Sequence, residues 1–104
     1  MNNPRSLSPQ QLKRLRAYIY AEPTLDHYQF TAKWDISRQL IAEVCRVQIR
    51  TVNTWFSQGQ FHQSPQTYQK WYLTFAHIVI ERFDELPDFL QILLCPIDDD
   101  FPRR

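Results

Sequence analysis

Arg38-Gln39-Leu40-Ile41-Ala42-Glu43-Val44-Cys45-Arg46-Val47-Gln48-Ile49-Arg50-Thr51-Val52-Asn53-Thr54-Trp55-Phe56 decides how this chain folds. Two readings compete over it. Val44 to Val52 is rich in β-branched residues and partly alternates, which suits a strand. Against that, Ile41, Val44 and Cys45 recur at helical spacing, and so do Ile49, Val52 and Phe56. Ser37 stands where a helix cap is needed, with Ile36 and Ile41 at staple positions, and Gly59 offers a left-handed stop. The helical reading explains more of these residues. It predicts two short helices within about 37–58, interrupted at Arg46-Val47-Gln48.

Helical signals continue on both sides. Toward the N-terminus, Leu7-Ser8-Pro9-Gln10-Gln11-Leu12 combines a serine cap, a proline at the first helical position, Gln11 as the third residue of a capping box, and Leu7 with Leu12 as a staple. Leu12, Leu15 and Ile19 then form an apolar stripe beside Lys13, Arg14 and Arg16, and Pro23 ends the segment. Thr24 is read as the next cap, opening a helix that runs to about Lys33. Toward the C-terminus, Ser64-Pro65 predicts a long amphipathic helix over about 65–83, with Tyr68, Trp71, Tyr72, Phe75, Ile78, Val79 and Phe83 as its apolar stripe. A short apolar helix follows over about 87–94, and residues 96–104 read as a solvated tail. The expectation is an all-α chain, one compact bundle of about five to six helices spanning 1–104 around a single core.

The 104 residues include one glycine, Gly59, where a typical chain has about 7%. Glycine-rich phosphate loops and dinucleotide fingerprints are therefore excluded. Cys45 and Cys95 stand alone, as buried thiols of a reducing compartment do. His27, His62 and His77 lack metal-site spacing, and Asp98-Asp99-Asp100 lacks the alternation and glycine of a calcium loop. Neither a metal nor a cofactor is expected, and no catalytic triad can be assembled, so an enzyme is not expected. No apolar run is long enough to span a bilayer or resembles a signal peptide, which points to a soluble, cytoplasmic protein. Trp34, Trp55 and Trp71 are read as core rather than as stacking platforms for single strands.

Net charge is only +1, but its distribution is uneven. Residues 1–70 carry nine basic and four acidic side chains, and residues 71–104 carry three and seven. From Val44 through Ile80 there is no Asp or Glu, while Arg46, Arg50 and Lys70 lie inside that window. Such a surface meets a polyanion without like-charge opposition. On a helix beginning near Ile49, residues Arg50, Asn53, Thr54 and Ser57 fall at i, i+3, i+4 and i+7, a polar stripe opposite Val52 and Phe56. Arginine pairs with guanine, asparagine with adenine, and threonine offers a hydroxyl and a methyl.

Arg38 through Phe56 resembles the helix-turn-helix of bacterial and phage transcription regulators, including transposase-like forms. Small Ala42 stands where the two helices approach, with Ile41 and Val47 flanking it, and Thr51-Val52 is followed by Trp55. The resemblance covers about 20 residues. It implies a sequence-specific double-stranded DNA-binding protein, a small transcriptional regulator, that places helix 49–58 in the major groove. By the same resemblance Gln48, Ile49, Arg50, Asn53, Thr54 and Ser57 read bases, and Arg38 and Gln39 contact phosphate. Lys33 and Arg46 lie close enough in sequence to add positive charge there. Two positions depart from the family pattern. Arg46 stands where glycine usually makes the left-handed turn, at a cost of about 1 kcal/mol. Gln48 replaces the usual Ser or Thr cap.

The segment from Phe89 to Leu94 is apolar nearly all round and has to be covered. Either it completes the core beneath the long helix, or Phe89, Leu90 and Leu93 form a homodimer surface or a docking site for another protein. The alternative function follows from this: a protein-interaction or adaptor module built on a helix-turn-helix scaffold.

Overall fold

The computed structural model describes residues 3–96, and all regular structure among them is helical. In chain order the helices are α1 (Pro9–Tyr20), α2 (His27–Lys33), α3 (Arg38–Cys45), α4 (Ile49–Phe56), α5 (Thr67–Arg82) and α6 (Asp88–Leu94), with a 3₁₀ turn at Phe83–Glu85 between the last two. The strand reading of Val44 to Val52 does not hold. The acidic run Asp98–Asp100 and the rest of the expected tail beyond residue 96 lie outside the described residues.

Local chemistry sets most boundaries. At α1, Ser8 Oγ accepts from Gln11 N–H and Gln11 Oε1 accepts from Ser8 N–H, the reciprocal capping box expected there. At α3, Ser37 Oγ accepts from Leu40 N–H. The second helix differs from expectation, because Asp26 and not Thr24 caps it. Asp26 accepts from Gln29 N–H, and Gln29 reaches back to Asp26 N–H at 2.8 Å. Aspartate with glutamine three residues on satisfies two orphan donors at once, whereas the residue three on from Thr24 is His27, whose Nε2 is bonded to Trp55 O. The long helix starts at Thr67, two residues after the proline, with Gln69 Oε1 accepting from Gln66 N–H at 2.7 Å. Pro65 is buried just outside it.

One core holds α2 to α5 together: Phe30, Ile41, Ala42, Cys45, Val52, Trp55 and Leu73 are buried, with Leu25, Trp34, Ile36, Val44, Val47, Phe56, Tyr72 and Ala76 packed around them. The row of α5 that enters this core is Gln69, Tyr72, Leu73 and Ala76, and of the stripe predicted for the helix only Tyr72 belongs to it. Tyr68, Trp71 and Phe75 lie on another side of the helix and line a groove with Tyr72 and with Tyr18 of α1. Trp55 is fully buried, whereas Trp34 and Trp71 are half-buried; Trp34 Nε1–H donates to His77 Nδ1 at 3.1 Å.

The two terminal helices stand apart from this core, since neither α1 nor α6 buries a single residue. The Cα radius of gyration is accordingly 17.5 Å, against about 13 Å for a compact 100-residue domain. α6 therefore does not complete the core beneath the long helix, the first of the two roles open to it. It is held instead by Gln91, whose Nε2 donates to the carbonyls of Phe83 and Leu86 at 3.0 and 3.2 Å. No helix among the described residues is long and apolar enough to cross a membrane.

Candidate nucleic-acid interface

α3 and α4 are eight residues each and meet across a three-residue turn, Arg46 to Gln48. Arg46 takes the left-handed conformation, φ 60° and ψ 43°, and is the only non-glycine residue with positive φ among those described. Its N–H bonds Glu43 O, and Val47 N–H bonds Ala42 O at 3.0 Å. This is the paired closure of a Schellman turn, and it satisfies carbonyls that the end of α3 leaves open. Val47 then packs against the core cluster that includes Ala42. The turn keeps its geometry without glycine because both bonds and an apolar anchor enforce it.

Burial of Val52 and Trp55 fixes which edge of α4 faces outward. Gln48, Ile49, Arg50 and Asn53 are exposed, while Thr54 and Ser57 are half-buried. Arg50 Nη2 donates to Gln48 Oε1 at 3.3 Å. Thr54 Oγ1 donates to Thr51 O at 2.6 Å, so the hydroxyl proton is spent within the helix. Ser57 is not on the helix at all. α4 ends at Phe56, and Ser57 has extended backbone, φ −78° and ψ 166°. Its Oγ donates to Thr54 O at 2.9 Å, and Gln63 N–H reaches the same carbonyl at 3.1 Å. The carbonyl that a further turn would bind through residue 58 is thereby occupied. Gly59 does adopt positive φ, 89°, but it shapes the following turn rather than stopping α4.

The phosphate candidates divide. Arg38, at the first position of α3, stretches to α4: its Nη1 donates to Asn53 Oδ1 at 3.1 Å, and its guanidinium lies 4.6 Å from the centre of the Phe56 ring. Gln39 is exposed on the same first turn. Arg46 instead points to α5, its guanidinium 5.3 Å from the centre of the Tyr72 ring, and Lys33 is exposed in the last turn of α2. So the fold brings Arg38 and Asn53 together and sets Arg50 beside Gln48, but it does not gather Arg46 with Arg38. Of the apolar C-terminal candidates, Phe89 and Leu93 are exposed and Leu90 is half-buried.

The residue pattern singled out His27 only as a histidine without metal-site spacing and gave no role to it. His27 is buried in the first turn of α2, and its Nε2 is 2.9 Å from Trp55 O, another carbonyl at the end of α4. A carbonyl only accepts, so Nε2 carries the proton and donates. Nδ1 is buried without a partner, and Tyr28 and Phe56 rings crowd the imidazole at 4.1 and 4.8 Å between centres. Desolvation holds its pKa below the usual 6.5, outweighing the bond to Trp55 and the charge of Asp26. No local pattern marks this residue, because its partner is supplied by another helix. Phe56 was read only as an apolar face residue; the face of its ring carries the Arg38 guanidinium.

Cys45 is buried against Gln69 O at 3.7 Å, and burial pushes its thiol up to about 11, so it stays a thiol; Cys95 is half-buried. No cluster of three or more His, Cys, Asp or Glu that could hold a metal occurs among the described residues. Comparison with protein families, with curated proteins and with solved structures returns no match for the chain.

Proposed function

We propose that this protein is a sequence-specific double-stranded DNA-binding regulator that presents α4 to the major groove. The reading rests on one observation: the outward edge of α4 displays Arg50 and Asn53, with Gln48 at its cap and no acidic residue on the helix, while Val52 and Trp55 anchor the opposite face. The free N–H groups at the start of α3, next to Arg38 and Gln39, suit a phosphate of the same duplex. Base recognition falls chiefly to Gln48, Ile49, Arg50 and Asn53. Thr54 and Ser57 are left as acceptors, since their hydroxyl protons are engaged. Arg46 and Lys33 contribute charge at longer range.

Selection of bound sequences from a random duplex pool tests binding and specificity together. The expected outcome is a common motif and an affinity that falls with salt. A pool that shows no enrichment, with no duplex bound at low salt, would defeat the reading. In that event the chain serves as an adaptor on a helix-turn-helix scaffold. The apolar side chains exposed on α1 and α6 favour this second reading.

A further inference from the structure

Two helices leave apolar stripes open to water, and their charges are opposite. On α6, Phe89, Ile92 and Leu93 fall at i, i+3 and i+4 on one face and are 69%, 68% and 72% exposed. On α1, Leu12, Leu15 and Ile19 share a face and are 38%, 43% and 60% exposed. A single exposed leucine is ordinary, but two continuous stripes on one small chain are not.

Charge distinguishes the two. Arg16 stands one helical turn from Leu12, and Lys13 and Arg14 lie on the same helix; α1 contains no acidic residue. Asp88 stands one turn from Ile92, and Asp84 precedes it in the 3₁₀ turn. Arg82 pairs with Glu85 at 3.0 Å and with Glu81 at 3.9 Å. Among the described residues neither Asp84, Asp88 nor any cation of α1 has an ion-pair partner. The charges that border the two open stripes are thus complementary and unspent.

Within one chain these helices attach to different parts of α5. Tyr18 of α1 lines a groove with Tyr68, Trp71, Tyr72 and Phe75, whereas α6 is tied to Phe83 and Leu86 beyond the far end. Roughly 18 Å of helix rise separates Trp71 from Phe83. The geometry points to a second copy of this chain as the partner. We infer that α1 of one copy packs on α6 of another, Leu12, Leu15 and Ile19 against Phe89, Ile92 and Leu93, with Arg16 facing Asp88 across the seam. A two-fold axis makes the contact twice, α1 on the partner's α6 and the reverse, and closes the dimer. The inference is independent of the DNA reading, because it uses neither α3 nor α4.

Sedimentation of the full chain without DNA, from micromolar to millimolar concentration and at low and high salt, tests it. The expected species at low salt is twice the 12.6 kDa chain, weakening as salt rises. Arg16→Glu alone and Asp88→Arg alone should each weaken self-association by about tenfold or more. Mixing the two variants should restore a heterodimer, since both seams then bring opposite charges together. Recovery in the mixture also shows that each variant is folded. A monomer at every concentration leaves the stripes to some other partner and overturns the inference. So does a dimer that ignores both reversals, or a mixture that fails to recover.

Discussion

Arg38 Nη1 donates to Asn53 Oδ1 across 3.1 Å, so the first residue of α3 holds a side chain in the middle of α4. The guanidinium is also seated on Phe56, which fixes its plane. An arginine assigned to phosphate and an asparagine assigned to bases thus form one unit. With Oδ1 engaged, the Asn53 amide keeps its two N–H donors for another acceptor, which under the proposed function is a base edge.

This coupling gives separable effects. Arg38→Ala is expected to weaken binding to every duplex, lower the salt slope by about 1, and relax preference at the base pair opposite Asn53. Arg38→Lys keeps the charge and loses the fork and the ring contact, so the slope should persist while the preference relaxes. Salt titrations on a selected duplex and its single-base variants measure both. A slope and a preference that always change together would contradict the arrangement.

Among the described residues Arg50 has no side-chain partner beyond Gln48, and it stands on the exposed edge of α4. Arg50→Ala should cost about 1 to 3 kcal/mol on the selected duplex and relax one base position, with folding stability within about 0.5 kcal/mol of the parent. Competition binding and thermal unfolding of the same preparation check the two halves.

His27 links the core to pH. Its folded pKa lies below the usual 6.5 because burial disfavours the imidazolium and Nδ1 has no acceptor. The unfolded chain therefore binds the proton first on acidification. Stability should be full above about pH 6.5 and fall as pH drops toward the folded value, by at most about 1.4 kcal/mol per pH unit from this one group. Denaturant titrations across that window should show a steeper loss for the parent than for His27→Gln, which donates but does not titrate. Equal slopes would remove His27 as the source.

Arg46 carries left-handed strain of roughly 1 to 2 kcal/mol and gains about 0.5 kcal/mol over Tyr72. Arg46→Gly should stabilise the fold by up to about 1 kcal/mol, while Arg46→Ala keeps the strain, loses the ring contact and should destabilise it by about 0.5 kcal/mol. Opposite signs in denaturant midpoints are the check.

Leu73 is fully buried, and Phe89 is largely exposed. Leu73→Ala should cost about 2 to 5 kcal/mol. Phe89→Ala, measured at concentrations where the chain is monomeric, should stay within about 0.5 kcal/mol. Unfolding curves compare them directly.

These contrasts also show what the residue pattern carries by itself. Caps that need only one neighbouring turn were legible: Ser8 with Gln11, and Ser37. The left-handed Arg46 was legible only through the resemblance to a helix-turn-helix, whose turn takes that conformation. Asp26 with Gln29 was equally local but stood two residues from Thr24, another residue of capping type, and the reciprocal glutamine was the deciding signal. The working face of α5 could not be read, because aromatic and aliphatic residues surround that helix and only packing selects Leu73 over Phe75. Nor could the end of α4, since Ser57 and Gln63 compete for Thr54 O through a loop. The bond between Arg38 and Asn53 spans fifteen residues and exists only once α3 and α4 have docked.

α4 is unevenly secured. Three groups from outside the helix (His27, Ser57 and Gln63) clamp the carbonyls of Thr54 and Trp55, whereas Gln48 makes no side-chain cap at the opposite end. Mechanically it is a cantilever, bolted at the rear with a compliant tip. Amide protons of Ile49 and Arg50 should exchange with solvent soonest, and small adjustments to whatever lies ahead can occur there without loosening Trp55 from its socket.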